Sequence, residues 1–570
     1  FDNQQNLWVG ANNGLIRFTK RRIKVFSNIE NKIWIGTSAI AESSDKSVWI
    51  ASGKKILHWK NGTFESFPVP SGGIYFTALA FDKNNILWVG TFNGIYSFEN
   101  NKFVKHDLMK NSQISPIFFD QSGKLWVGER VGGLFEFENG VLKGKYTTEN
   151  GLANNWISYI TQDRSGVIWV GTKGGLSRFE NGQFTNFTTE NGLENENVRD
   201  IYEDADGAFW IGTYGGGISR LKDGKIVSIT TKNGLAEDIA SRLLLDDYDT
   251  FWVLGNQGVY SVSRKSLNDF ADGKTKRVYC TIYDESDGME VGEGSGGNQP
   301  TGLKASDGRL WFPMIRGGII IDPIKPNLTS APVYIEEVSL NKEKINANGK
   351  IIIQPGQENL EINYTAVSFI KPEQIQFRYK LEDYDTDWQD VGTRRVAYYP
   401  YLPPGTYTFR VMATNGNDVW SENDASLQLV VRAPFWRTWW FLILCILGLI
   451  LLIVLAYQRR LATVKHRRLQ QEEFSRQLIN AHETERNRIA GELHDGLGQN
   501  LLIIRNWTLL VLKQLPVKSK YRKQLEEISE VAGQSLEETR NITRNLRPQH
   551  LQRFGLTETI NNMVKQVEES

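Results

Sequence analysis

A unit of about 40 residues recurs eight times between Phe1 and Pro323, and no other feature restricts the fold as strongly. Each unit reads as a turn with Asp, Asn or Gly, an apolar-Trp-apolar strand, a glycine turn, and a strand ending in an aromatic. "NNILWVGTFNGIYSF" from Asn84, "SGVIWVGTKGGLSRF" from Ser165 and "DGAFWIGTYGGGISRL" from Asp206 are examples. The anchoring tryptophans are Trp8, Trp49, Trp88, Trp126, Trp169, Trp210, Trp252 and Trp311, in steps of 41, 39, 38, 43, 41, 42 and 59. One repeat of this length cannot bury its own apolar face and must stack on the next. Short alternating strands with glycine turns at this period predict β-propeller blades of four strands each, with every Trp packed between neighbours. Trp34 in "KIWIGTSAI" falls off the period and reads as a coincidental strand. Eight anchors fit either eight blades or seven plus the last blade of a preceding ring. The chain starts inside a repeat, without Met or a signal-peptide pattern, so the second is expected and the chain is read as a fragment.

The period stops after "WFPMIRGGIIIDP", and "IKPNLTSAP" (324–332) reads as a linker. From 333 to 432 come separate alternating strands such as "LEINYTAVSF", "IQFRYKLEDY" and "GTYTFRVMATN", about 100 residues that suggest a β-sandwich. Tyr364, Tyr379 and Tyr399 are expected in its core or on a sheet face. Residues 438–458 carry no charge and would span about 30 Å as a helix, the thickness of a bilayer's hydrocarbon core. Trp436, Trp439, Trp440 and Tyr457 flank this run as an interfacial aromatic belt would. Six Lys and Arg lie in 459–476 against two in 421–438, so the carboxyl side is expected in the cytoplasm.

Beyond the membrane the pattern is helical: one long helix from Arg459 to about Lys513, a break at Pro516, and a second helix from about Lys518 to Leu546 before Pro548. Ile489, Leu493, Leu497, Leu501 and Ile504 form one apolar stripe; Leu525, Ile528, Val531, Ser535 and Ile542 form a looser one. A two-helix hairpin is too thin to bury both, so two hairpins should pair into a four-helix bundle and the chain should be a homodimer.

Composition narrows the function. Lys and Arg number 66 against 65 Asp and Glu, so no global field draws the chain to nucleic acid, and direct nucleic-acid binding is not expected. Only Cys280 and Cys445 are present, the latter in the apolar run, which excludes a disulfide framework. His482 and His494 lie 12 apart without a Cys partner, so no metal site is expected. Glycine clusters such as "YGGGIS" and "EGSGGNQ" lack a strand-helix unit and read as turns. "RRLATVKHRRL" (459–469) suits topology and anionic headgroups.

The chemistry concentrates in "ETERNRIAGELHDGLGQNLL" (483–502). In a helix His494 points about 100° from Leu493, so the buried stripe leaves its ring facing solvent. Asp495 can orient that ring or accept its proton, freeing the other nitrogen to attack phosphorus. Gln499 stands near enough to position a water, and Gly496 and Gly498, each costing about 1 kcal/mol in a helix, suggest close approach by another domain.

This string resembles the dimerisation and phosphoacceptor domain of sensor histidine kinases, in the class with an H-D-x-x-x-Q motif, which His494, Asp495 and Gln499 match position by position. "RNLRPQHLQRFGL" (544–556) looks like that family's exit into its ATPase domain. The repeats look like regulator-type propeller blades, and 333–432 looks like the three-tyrosine domain of large bacterial sensors. The resemblance implies a multidomain chain: 1–39 the end of a preceding propeller or a first blade, 40–325 a sensor propeller, 333–432 a β-sandwich, 438–458 a transmembrane helix, 459–482 a signalling helix, 483–550 the phosphoacceptor bundle and 551–570 the start of a truncated ATPase domain. It implies a single-pass protein of the bacterial inner membrane with a periplasmic propeller and sandwich. ATP and Mg2+ would serve the full-length kinase, with none bound by this chain, and a response regulator receiver domain would take the phosphoryl group. The family suggests an oligosaccharide as extracytoplasmic ligand.

Two other readings compete: a receptor whose cytoplasmic bundle only dimerises, and a propeller enzyme, for which no paired-carboxylate or His cluster is visible. One further pattern bears on sensing. Four residues after each anchor the repeat varies sharply, as Asn12, Gly53, Phe92, Arg130, Lys173, Tyr214, Asn256 and Ile315. Phe92, Arg130, Lys173 and Tyr214 are the candidate ligand-binding positions on one propeller rim, against the plain alternative of freely varying loop tips.

Overall fold

The structure is a computed structural model. It describes residues 1–546 apart from 3–5, 13, 19–21, 27, 30–31, 34–35, 69–74, 291, 326–330, 347–348, 369–370, 415–419 and 422, together with 557–558, 560–561 and 564. Trp34, most of the 324–332 linker and the exit segment from 547 therefore lie outside the described residues. The chain divides into a unit from Phe1 to Ala433 and another from Pro434 to Ser570.

In the first unit, seven four-stranded antiparallel sheets form the ring. Blades 1 to 6 take residues 37–68, 76–106, 114–146, 157–187, 198–229 and 242–283 in order, with helix α1 (Arg264–Ala271) between the last two strands of blade 6. Blade 7 is composite: Leu303–Lys304, Leu310–Pro313 and Gly318–Ile321 are completed by Ile23–Phe26 as the outer strand, with Ile23 opposite Ile321 and Phe26 opposite Gly318. The ring is thus closed by its own N-terminal strand. This corrects the expected boundary, since the propeller begins at Ile23 and not at 40. A separate hairpin, Leu7–Ala11 with Gly14–Phe18, stands outside the seven blades and holds Trp8.

A polar clasp explains why the Trp recurs. In five consecutive blades an Asp six residues earlier accepts the indole N–H: Asp82 for Trp88 (3.4 Å), Asp120 for Trp126 (2.9 Å), Asp163 for Trp169 (2.8 Å), Asp204 for Trp210 (2.9 Å) and Asp246 for Trp252 (2.8 Å). The other carboxylate oxygen takes backbone N–H groups of the turn, as Asp163 does from Ser165 and Val167. Each Asp therefore fixes the turn and satisfies a buried donor at once. Burial works against the Asp163 charge, yet the Trp169, Ser165 and backbone donors together pull its carboxyl below the ordinary value. The Asp2 to Trp8 bond of 2.8 Å repeats the clasp, so the outlying hairpin is a piece of the same repeat.

The central channel is crossed by residues 294–301, the glycine-rich stretch that composition alone reads as a turn. Leu79 N–H donates to the Gln299 carbonyl (3.0 Å) in blade 2, Ile40 N–H to the Pro300 carbonyl (3.0 Å) in blade 1, and Ser295 N–H to Pro313 (3.0 Å) in blade 7. The Gln299 side chain pairs with both backbone groups of Ile160 in blade 4, at 2.6 and 2.9 Å. Gly296 must be glycine because a Cβ there would stand 2.6 Å from Ser241 Oγ in blade 6.

Residues 333–431 form two sheets, one of four strands and one of five. Alternating burial along Leu360–Ala366 and Gln376–Glu382 marks a sandwich with one face of each sheet inward. Tyr364, Tyr379 and Tyr399 are all buried in its core, as expected; Arg394 donates to Tyr379 Oη (3.0 Å) and Tyr399 donates to Asp385 (3.0 Å). The sandwich docks on blade 6. Lys371 pairs with Asp287 at 2.5 Å and lies 4.6 Å from the Tyr283 ring centroid, while Gln374 bonds both backbone groups of Ile282 at 2.9 Å.

In the second unit, helix α2 (Trp439–Glu492) runs through a π-helical turn (Leu493–Gly498) into α3 (Gln499–Gln514), and α4 (Arg522–Leu546) folds back on it. The apolar stretch of α2 is long and apolar enough to cross a membrane, and none of it is buried. The hairpin seam is built from Ala490, Thr508 and Leu512 against Ala532, Leu536 and Thr539. Ile489, Leu497, Ile504, Ile528, Val531 and Ile542 stay exposed, because small residues let α3 and α4 approach on a neighbouring face and leave the larger stripe unpartnered.

Candidate functional site

His494 and Asp495 sit on the π-helical turn, with side chains 69% and 73% exposed. His494 Nδ1 stands 2.7 Å from Asp495 Oδ1. A carboxylate can only accept, so Nδ1 carries the proton and Nε2 keeps its lone pair toward solvent. The π turn also sets the register of Gln499. Residues five apart are 140° apart around an α-helix, but a π turn joins i to i+5, so its backbone brings positions 494 and 499 toward one side. Gln499 opens α3 and is exposed. A Cβ on Gly496 would meet open space, so the hairpin itself does not require glycine there. Arg486 ties α2 to the Asn545 carbonyl at 3.1 Å, and Arg488 pairs with Glu485 and Glu492 on the same exposed helix. Among the described residues no three His, Cys, Asp or Glu gather as a metal site needs.

The other candidate lies on the propeller. In an up-and-down four-stranded blade, the turn between the second and third strands and the loop leading to the next blade share one face. On that face, in blades 3, 4 and 5, the backbone joins the position four after the anchor to the position 13 before it. Arg130 N–H donates to Gln113 (3.0 Å), Lys173 to Trp156 (3.2 Å) and Tyr214 to Asn197 (2.9 Å). Side chains from five consecutive blades meet there. Arg130 packs over Phe92 and Trp156, at 5.3 and 4.8 Å from the ring centroids, and Lys173 Nζ lies 3.3 Å from the Trp156 centroid. Arg199, from the start of the inner strand of blade 5, packs over Tyr214 at 5.0 Å, and Asn256 reaches Tyr214 Oη at 3.4 Å. Burial and the like charge of Arg130 draw the Arg199 guanidinium below its ordinary pKa, against the opposing pull of Tyr214.

Phe92, Arg130, Lys173 and Tyr214 are thus brought into one arc, with Asn256 at its end. Gly53 and Ile315 occupy the equivalent turns of blades 1 and 7, while Asn12 stands on the outlying hairpin and is no part of this face. Trp156 and Arg199 escaped sequence reasoning. Reading a second column, at the position 13 before each anchor, would have found Tyr75, Gln113, Trp156 and Asn197. At the position 11 before, Thr77, Ser115 and Ser158 give way to Arg199 alone.

Comparison with known proteins bears on both sites. Residues 485–551 match the family model for histidine kinases and include His494; 368–432 match the Y_Y_Y domain; and 68–93, 151–174 and 192–215 match the two component regulator propeller. The chain carries, in order, the propeller, Y_Y_Y and histidine kinase domains found in two-component sensor kinases. It is 26% identical over 211 residues to Histidine kinase P4 of Formosa agariphila, covering 34% of the chain and 15% of that protein. Over 106 residues it is 30% identical to the oxygen sensor histidine kinase NreB of Staphylococcus carnosus, covering 19% of the chain and 30% of that protein. The chain therefore spans less than a third of either curated relative. Among solved structures, the extracellular domain of a hybrid two component system from B. thetaiotaomicron aligns with 19% identity and a TM-score of 0.40, over 75% of this chain and 77% of that one.

Proposed function

We propose that the chain is the sensing and phosphoacceptor part of a kinase that signals across a bacterial inner membrane. The propeller and sandwich stand outside the cytoplasm and bind a ligand. The single apolar helix carries the signal inward, and the basic segment after it holds that end in the cytoplasm. Two hairpins then pair through the exposed stripe of Ile504, Trp507, Ile528 and Val531 into a four-helix homodimer.

The observation that carries the chemistry is the exposed His494 ring with Nδ1 held by Asp495. Nε2 donates its lone pair to the γ-phosphorus of ATP, the bond to the bridging oxygen breaks, and ADP leaves. Asp495 stabilises the positive charge that develops on the ring and takes the Nδ1 proton. The phosphoryl group then passes from Nε2 to a carboxylate of a response regulator receiver domain. Gln499 aligns a water for the reverse duty, removal of phosphate from the regulator. ATP and Mg2+ belong to a nucleotide-binding domain acting on His494, where the ion neutralises charge on the transferring phosphate.

The test joins this chain to a histidine-kinase ATP-binding domain and supplies γ-labelled ATP. The expected result is acid-labile, base-stable label that His494→Gln abolishes. Label that persists in His494→Gln places the acceptor elsewhere, and absence of any label favours the receptor that only dimerises.

A further inference from the structure

The ring is unevenly clasped. At the position six before the anchor, blades 2 to 6 carry Asp, but blade 1 carries Ser43 and blade 7 carries Ala305. Trp49 in blade 1 therefore donates to Ser47 Oγ at 3.2 Å, and the Trp311 indole nitrogen in blade 7 is buried without a partner. The Asp82 clasp of blade 2 is long, at 3.4 Å, where blades 3 to 6 hold theirs at 2.8 to 2.9 Å. The weakly held anchors thus belong to consecutive blades, 7, 1 and 2, and blade 7 is where the ring closes. Histidine marks the same sector. Of the six histidines, only His58 and His106 precede the membrane segment, and each stacks on one of these anchors. The His58 ring lies 4.2 Å from the Trp49 ring and the His106 ring 4.4 Å from the Trp88 ring, with planes 25° and 20° apart.

His106 occupies the outer-strand place that sets Phe67, Tyr146, Phe187 and Tyr283 over the anchors of other blades. Its Nε2 stands 2.9 Å from Ser97 Oγ, whose own proton goes to Glu99 at 2.7 Å, so the ring donates from Nε2 and is satisfied in its neutral form. His58 lies opposite Trp49 across the strand pair, its side chain 16% exposed. Its Nε2 is buried without a hydrogen-bond partner, so a proton there would be a donor with no acceptor. An indole face favours a cation in front of it. Burial opposes that and is the largest influence on both rings, drawing each below the ordinary imidazole value of 6.5. The charged groups that act on His58 are Asp45 in the turn before the Trp49 strand, Glu65 on the outer strand and Lys60; Glu99 acts on His106. Blade 2 turns Phe81 and Phe98 toward Trp49, and blade 3 turns Phe119 toward Trp88, so the neighbouring blades meet these anchors with aromatic carbon. The strand that carries His58 also reaches the closure, because Trp59 packs on Trp311 at 5.2 Å and Phe26 of the closing strand packs on the same ring at 5.6 Å.

We propose that blades 7, 1 and 2 form an acid-sensitive seam in the ring, which loosens when protons on His58 and His106 charge the rings that cover Trp49 and Trp88. As pH falls, the unfolded chain takes up these protons before the folded ring does. The seam is therefore weakened progressively from about pH 7 down through the folded values and loses nothing further from these two groups below them. The Asp clasps do not titrate in this window: the carboxyls of Asp120, Asp163 and Asp204 stay below 3.8, and Asp45 is held low by Lys60, Ser43 and Ser47. Mild acid thus opens one side of the ring and leaves the other clasped. The seam concerns the propeller alone and stands or falls apart from the His494 assignment.

The test is hydrogen exchange of the full chain in phosphatidylcholine nanodiscs, resolved by segment and corrected for the intrinsic pH dependence of amide exchange. Between about pH 7.5 and about pH 5.5, blades 1 and 2 (37–106) and blade 7 (303–321) should lose protection roughly fivefold or more, while blades 4 and 5 (157–229) hold theirs within about twofold. The variants borrow residues that other blades use at the same places. His58→Ser repeats Ser97 and Ser261 opposite the anchor, and His106→Phe repeats Phe187 over it. The double variant should keep its protection flat across the range. If it is already less protected than the native chain at the upper pH, His58→Gln, which keeps a polar group against Trp49, replaces His58→Ser. The native profile decides independently of any variant: its midpoint should fall between about pH 4 and about pH 6.5. The four histidines beyond the membrane segment titrate in the same range but lie outside the measured segments. Equal loss in all blades, no loss at all, a loss that begins only below about pH 4, or an undiminished loss in the double variant overturns the proposal.

Discussion

Replacing Asp495 by Asn separates chemistry from stability in a way the geometry makes quantitative. The His494 and Asp495 side chains are 69% and 73% exposed, so their 2.7 Å contact lies in water, where such pairs contribute below about 1 kcal/mol to folding. Unfolding of the bundle should therefore hardly change. The same contact has a different weight during phosphoryl transfer, when the ring becomes cationic and its Nδ1 proton needs an acceptor. Asn keeps a carbonyl oxygen but loses the charge and the capacity to take a proton. It can also turn its amide N–H to Nδ1 and favour the other tautomer, which blocks Nε2. Loss of general-base assistance costs roughly two to four orders of magnitude in rate, equivalent to about 3 to 5 kcal/mol of barrier. The assay is single-turnover labelling in the chain joined to an ATP-binding domain, run across pH with thermal melting alongside. Asp495→Glu should recover part of the rate, because the charge returns at altered reach. A labelling rate within about threefold of the original, well under the 10²-fold minimum expected, would refute a proton-accepting role. A melting temperature that fell in step with the rate would show Asp495 to be structural.

The remaining expectations concern separate parts of the chain. Gln499→Ala should spare phosphorylation of His494 and slow dephosphorylation of the regulator, read by following labelled regulator with and without the kinase. Val531→Glu places a charge in the middle of the unpartnered stripe and should raise the dimer dissociation constant at least tenfold in sedimentation while helicity is kept; an unchanged dimer would move the interface to another face. Asp163→Ala removes the acceptor of the Trp169 indole and of two turn N–H groups, and should cost about 2 to 4 kcal/mol of propeller stability by denaturant titration. The carboxyls of Asp120, Asp163 and Asp204 are all held below 3.8 in the folded chain. Their contribution is therefore complete at neutral pH and is lost as pH falls through the folded values, so the propeller's melting temperature should drop below about pH 4 and the drop should shrink in Asp163→Ala.

What the sequence made legible follows from where each signal is stored. The Trp anchors carry a local rule, an Asp six residues earlier bonded to the indole, and a local rule repeated along the chain is visible without coordinates. Closure of the ring is a pairing between Ile23–Phe26 and Gly318–Ile321, strands from opposite ends of the propeller sequence, and no local pattern in "IKVF" announces it. The channel-crossing segment escaped for a related reason: its glycines serve close approach to Ser241 and Arg199, contacts that exist only once six blades are in place. Helical periodicity correctly found an unpartnered apolar stripe on α3 and α4. It could not tell the partner-facing stripe from the seam within the hairpin, because Ala532 and Thr508 carry little hydrophobic weight and yet permit the tightest approach. The π turn at His494 left no mark beyond Gly496 and Gly498, which an α-helical reading could assign only to an approaching domain.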